Sequence, residues 1–272
     1  MTAGGRPIMA GAEPFAHPGH GDVGALLVHG FTGTPYEMRP VGEHLAQRGI
    51  GSEAVLLRGH GTHPDDMLAA RHTDWIADVE AGLDRLSSTY RRVFLVGLSM
   101  GGTLVLNVAA RHSTDPRIAG VVSIAAPVRL EDWRLRIVRW GCRVVPWQVW
   151  GRPDIKDRRA WDRHVGYKRF RTRTVLELLA LMNETLVLLP SVTQPLLLLH
   201  ARQDHVVPPN NAPLIYGLVG SQDKQLVWLD NSYHVVTVDF AAPVLNEAIA
   251  RFVEEWAVLE AREQAGAARE GW

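Results

Sequence analysis

Short continuous apolar runs alternate along the chain with stretches whose apolar residues recur every three to four positions. The runs at residues 25–28, 54–57, 93–96, 120–124, 196–199 and 225–229 read as strands buried on both faces. Residues 34–48, 73–86, 100–112, 175–189, 211–218 and 243–263 carry helical spacing. In the second of these it is set by Trp75, Ile76, Val79, Leu83 and Leu86. Thr34 and Pro35 read as an N-cap and first-turn pair, with Gly49 as the stop. This alternation predicts an α/β fold, a mostly parallel central sheet with helices on both faces.

The pattern divides the chain. Residues 23–126 and 191–264 form the expected core. Residues 127–190 interrupt it as a helical insertion, and 265–272 form a short tail. Residues 1–22, rich in Gly, Pro, Ala and His, read as a flexible lead-in. They lack the basic start and apolar stretch of a signal peptide, so the cytoplasm is the expected location. No apolar run reaches the roughly 18–20 residues of a membrane span, so no integral membrane segment is expected.

Composition changes the picture only in the insertion. It holds five of the nine tryptophans, and between residues 129 and 173 fourteen basic residues face five acidic ones. The whole chain balances 29 basic against 29 acidic residues, and no nucleic-acid motif accompanies the local excess, so nucleic acid is not an expected partner. The tryptophans suit packing of the insertion onto the sheet, an apolar acyl tunnel, or contact with a lipid interface, where the positive charge would favour anionic surfaces. The lone Cys142 excludes an internal disulfide and a CxxC zinc site. His60, His63, Asp65 and Asp66 lack the helical spacing of a metal motif, so no metal is expected there.

Candidate chemistry centres on Gly97-Leu98-Ser99-Met100-Gly101, a G-x-S-x-G pattern between a buried strand and a helix. That is the context of a nucleophile elbow. A serine hydroxyl is a weak nucleophile and needs a base oriented by a third group. The chain order Ser, Asp, His selects Asp204, just past the strand at 196–199, and His234, past the strand at 225–229. His205 shares the Asp204 loop and is a poorer base. Asp239 reads as the start of the closing helix. Oxyanion donors are expected from the N–H groups of Met100 and Phe31, the latter in the His29-Gly30-Phe31-Thr32-Gly33 loop. His29 reads as a structural hydrogen-bonding residue.

These residues sit in longer matching stretches: Leu27 to Pro35 with Met38-Arg39-Pro40, Arg58 to His63, Gly97 to Thr103, Asp204 to Pro209, and Asn231 to His234. With them the chain resembles the bacterial monoacylglycerol lipase and carboxylesterase group of the α/β-hydrolase family. The resemblance implies a cofactor-free serine esterase with Ser99, Asp204 and His234 as triad and Phe31 and Met100 at the oxyanion hole. Residues 127–190 would be a cap over the site, and the substrate a small acyl ester, monoacylglycerols or similar medium-chain esters. In the cap, the glycerol-facing acid of the group falls at Lys168. A general carboxylesterase without glycerol preference is therefore the alternative, and a non-catalytic ligand-binding protein on the same fold is a second.

Overall fold

The computed structural model describes residues 5–130, 141–149 and 151–270. Seven strands form one sheet: β1 (Phe15–His17), β2 (Val23–Val28), β3 (Gly51–Val55), β4 (Arg92–Leu98), β5 (Ile118–Ile124), β8 (Leu196–Ala201) and β9 (Lys224–Leu229). Their order is β1-β3-β2-β4-β5-β8-β9, and every pairing is parallel except that of β1 with β3. The helices are α1 (Arg39–Gln47), α2 (His72–Ser87), α3 (Met100–Arg111), α4 (Arg158–Trp161), α5 (Val175–Leu188), α6 (Asn211–Leu218) and α7 (Ala242–Glu270). The fold is that of an α/β-hydrolase.

Both faces of the sheet are covered, which explains the unbroken apolar strands. In β2, Leu26 and Val28 join a core with Trp75, Leu104 and Leu181 of α2, α3 and α5. The alternate residues Ala25 and Leu27 join Met38, Val41 and Leu45 beside α1 and Leu245 and Ile249 of α7. The chain runs from β2 outward to β3 and then returns to β4 on the other side of β2. That reversal opens a crevice at the carboxyl ends of β2 and β4, where open α/β sheets hold their sites.

Several expectations need correction. The described part of the lead-in is tied to the fold: Ala12 is fully buried, and β1 pairs along β3 from Phe15↔Ala54 to His17↔Ser52. Three residues without alternation carry no strand signal of their own, and the neighbouring strand imposes the conformation. Thr34 stands at the N-cap position ahead of Pro35, as expected, but the helix it opens is a 3-10 turn and its side chain makes no capping bond. A 3-10 turn, Pro35–Met38, precedes α1, and the Thr34 hydroxyl donates to the Val165 carbonyl of the insertion at 2.7 Å. The strand expected at 54–57 lies at Gly51–Val55, drawn forward by pairing on both edges. The backbone of α7 stays helical through Glu270, into the expected tail.

Between β5 and β8, the described residues hold a two-stranded antiparallel pair, β6 (Trp147–Val149) with β7 (Arg169–Arg171), and the helices α4 and α5. Arg169 and Arg171 stack on Trp147, at 4.7 and 3.8 Å from the ring centre. Of the insertion's tryptophans, Trp133, Trp140 and Trp150 lie outside the described residues. The segment Thr172–Ser191 reaches a mean hydropathy of 1.4, enough by length and composition for a membrane span, a signal the sequence reading passed over. Here α5 lies on the core: Leu181, Met182 and Thr185 are buried. Its two carboxylates bind core side chains, Glu184 with Asn107 and Glu177 with His72, both at 2.9 Å.

Candidate active site

Ser99 sits between β4 and α3 with φ 55° and ψ −120°, a strained conformation for a residue with a Cβ. The glycines on either side make the turn possible. A Cβ on Gly97 would overlap the Gly101 backbone, and one on Gly101 would overlap the Val28 carbonyl. The other described non-glycine residues with positive φ are Thr32, Ala125 and Asn231. They follow β2, β5 and β9, so local strain gathers at the carboxyl edge of the sheet.

The structure brings the three sequence-predicted side chains together. His234 Nε2 lies 2.9 Å from Ser99 Oγ, and His234 Nδ1 lies 2.8 Å from Asp204 Oδ2. A carboxylate only accepts, so Nδ1 carries the proton and donates. In the neutral ring Nε2 is then the acceptor facing the serine hydroxyl. Asp204 receives four donors. Its Oδ1 accepts the Val206 and Val207 N–H groups at 2.9 and 2.8 Å. Its Oδ2 takes His234 and, at 3.3 Å, Nε2 of His200, whose ring also donates to the Val207 carbonyl.

Burial alone would raise the Asp204 pKa. The charge of His234 and the hydrogen bonds from His200, His234 and Val207 outweigh it and hold the carboxyl well below the usual range. Burial alone would likewise lower the His234 pKa. The Asp204 carboxylate and its hydrogen bond, helped by Asp154 and Glu37, instead hold it above the ordinary 6.5.

On the other side of Ser99 lies the loop after β2. A Cβ on Gly30 would stand 3.2 Å from that of Ser99, so the residue just before Phe31 packs directly against the serine. Met100 is the first residue of α3, so its N–H belongs to the unsatisfied first turn of a helix. The loop is braced from beneath. Gly30 N–H donates to the buried Glu37 carboxylate at 3.2 Å, and His164 of the insertion meets that carboxylate at 2.9 Å. His29 is structural, as expected: it donates from Nδ1 to the Gly30 carbonyl and accepts the Leu57 N–H at Nε2. Phe31 packs edge-on against His60, Trp75 and Phe170. Burial, with His29 beside it, pushes the His60 pKa down to about 3, so this ring is a neutral part of the wall. His63 accepts the Asp65 N–H, and Asp65 pairs with Arg171.

Lys168 is exposed, whereas its neighbours Tyr167 and Phe170 are buried against the loops around the serine. Tyr167 donates from its hydroxyl to the Gly59 carbonyl and accepts the Thr62 N–H, both at 2.9 Å.

Three residues escaped the sequence reading. His200 was visible only as a strand residue. Asp239, expected to start a helix, aims its carboxylate at the N–H groups of Lys156, Asp157, Tyr233 and Phe240. Asp154, in a stretch without periodicity, accepts the N–H groups of His205 and His234. None stands in a local motif. Their partners lie from 1 to 83 residues away, and most lie in other elements.

The profile of the family described as serine aminopeptidase, S33, matches residues 23–240. A thermostable monoacylglycerol lipase of Bacillus sp. (strain H-257) is 39% identical over 250 residues, 90% of this chain and 96% of its own. A carboxylesterase of Bacillus subtilis (strain 168) is 27% identical over 247 residues, 89% and 96% of the two chains. Among solved structures, one described with LipS and LipT, two metagenome-derived lipolytic enzymes, has a TM-score of 0.86 at 34% identity and covers 92% of this chain and 100% of its own.

Proposed function

Because the chain belongs to the serine aminopeptidase S33 family of α/β-hydrolases, we propose that it cleaves carboxylic esters through an acyl-enzyme on Ser99, with monoacylglycerols or similar medium-chain esters as substrates. The observation that carries this reading is the unbroken relay from Ser99 through His234 to Asp204, at 2.9 and 2.8 Å. The similarity to the Bacillus monoacylglycerol lipase over nearly the whole length supports the substrate class.

In the first step Ser99 Oγ attacks the ester carbonyl as its proton passes to His234 Nε2. The Phe31 and Met100 N–H groups receive the charge that builds on the carbonyl oxygen. Asp204 holds the imidazole in its Nδ1–H form and stabilises the imidazolium. Collapse expels the alcohol, which takes the proton from Nε2. Water then attacks the acyl-enzyme, giving its proton to Nε2, and the fatty acid leaves as Ser99 regains its hydrogen.

Exposed Lys168 supports the second reading, a carboxylesterase indifferent to glycerol. The exposed Val144, Val149 and Val187 of the insertion, 82, 73 and 77% accessible, support substrate taken at a lipid interface. Fatty-acid release from 1-monolauroylglycerol and from ethyl laurate separates the readings, because the acyl group is common to both. A strong preference for the glyceride, lost with all activity in Ser99→Ala, is the expected result. Equal rates establish the general esterase. A folded protein that releases nothing and takes no fluorophosphonate label overturns the catalytic reading in favour of a ligand-binding protein.

A further inference from the structure

The loop that presents His234 has no regular structure, yet three successive N–H groups in it are held. Tyr233 N–H donates to Asp239 Oδ2 at 2.9 Å, His234 N–H to Asp154 Oδ2 at 3.1 Å, and Val235 N–H to the Asp154 carbonyl at 3.1 Å. Asp154 therefore takes two of the three. The same Oδ2 also accepts the N–H of His205, at 3.1 Å, the residue directly after Asp204. Its Oδ1 lies 2.9 Å from His205 Nδ1. One carboxylate group thus joins the loop of the acid to the loop of the base.

Asp154 is itself anchored. Its side chain is 18% exposed. The next residue, Ile155, is buried in the core shared with Val235 and Leu245, and its carbonyl accepts the Trp161 indole N–H at 2.7 Å. The N–H groups of Lys156 and Asp157 are fixed by Asp239. The carboxylate cannot drift without moving this whole return limb of the insertion.

We propose that Asp154 is a positioning residue of the insertion that locks the Asp204 and His234 loops into register and places a second negative charge behind the base. The inference rests on the serine-hydrolase reading above. The charge bears on the imidazole as well as the backbone, since Asp154 is among the groups that hold His234 above its ordinary pKa. The other titratable or charged groups around the ring's loop are Asp204, Asp239, His200, His205 and Tyr233. Lys156 lies over the Tyr233 ring at 5.6 Å, and Glu37 lies across the site.

Asp154→Asn separates charge from shape. The amide oxygen still accepts the two N–H groups, and the amide nitrogen can donate to His205 Nδ1 in its other tautomer. The experiment measures the second-order rate of Ser99 labelling by a fluorophosphonate across pH, on the full chain, with the His234 pKa followed by NMR. The expected result is an acidic limb and an NMR pKa both moved to lower pH, with the plateau rate reduced about tenfold. Asp154→Ala should lose about a hundredfold. An unmoved limb and NMR pKa in Asp154→Asn, with rates within twofold of the parent, overturn the proposal. If Asp154→Ala fails to fold, Asp154→Asn alone decides. A parent protein that takes no label at any pH instead overturns the reading beneath it, and the NMR comparison still reports whether Asp154 bears on His234.

Discussion

The insertion meets the core along two seams that are built differently. On the histidine side, residues 153–157 are joined to the loops after β8 and β9 by carboxylates, Asp154 and Asp239, that accept backbone N–H groups. On the oxyanion side, residues 164–167 are joined to the loop after β2 by mixed contacts. These are the His164–Glu37 pair, the Thr34 hydroxyl on Val165, and the Tyr167 N–H on the Thr32 carbonyl. Charge-assisted bonds to backbone fix where the chain itself runs and are about twice as strong as neutral ones. The first seam therefore sets the position of the base rigidly. The second spreads its hold over several weaker bonds and the aromatic contacts of Phe31.

The difference predicts an order of damage. Asp239→Ala removes one of the two carboxylates of the histidine seam and leaves four N–H groups without their acceptor. It should lower the unfolding free energy by about 3–5 kcal/mol in a urea titration and abolish ester turnover. Glu37→Gln strikes the oxyanion seam. Gly30 N–H keeps an acceptor while the charge facing His164 goes. The expected loss is about 1–2 kcal/mol, with kcat down about tenfold and KM little changed. A larger loss here than in Asp239→Ala would invert the comparison.

The acid limbs sharpen it further. His234 must be neutral to take the serine proton, and its pKa is raised, so kcat/KM should fall as pH drops through a value above 6.5. Burial alone would raise the Glu37 pKa, but His164, His29 and the Gly30 N–H hold it below its ordinary value. A depressed carboxylate contributes stability that is full above its unfolded pKa, about 4.3. That contribution disappears as pH falls through the folded value. The gap in unfolding free energy between the parent and Glu37→Gln should therefore be constant near neutrality and close below about pH 4.3. The smallest effect belongs to Tyr167→Phe, which removes a hydroxyl between Gly59 and Thr62. It should cost about 1 kcal/mol and leave kcat within twofold, measured by thermal unfolding and ester turnover.

The same contrast separates what could be read in the sequence from what could not. The strands and helices of the core announce themselves because burial on two faces writes apolar runs and burial on one face writes helical spacing. Ser99, Asp204 and His234 are legible because the elbow pattern and the strand ends fix where such residues stand. β1, β6 and β7 have three residues each and exist through their partners. His200, Asp154, Asp239 and Glu37 act through contacts reaching up to 127 residues along the chain. A carboxylate that accepts a distant N–H looks, in the one-dimensional string, like any polar loop residue.

The two seams also set the rules for exchanging the insertion with that of a relative. An exchange cut at residues 127 and 190 would carry away Asp154, His164 and Tyr167 and leave Asp239, Glu37 and Thr32 facing a stranger's backbone. Chimeras divided there should lose turnover whatever insertion they receive. Grafts that retain residues 153–167 of the recipient keep both catalytic loops in their native surroundings, and the exchangeable unit is smaller than the inserted one.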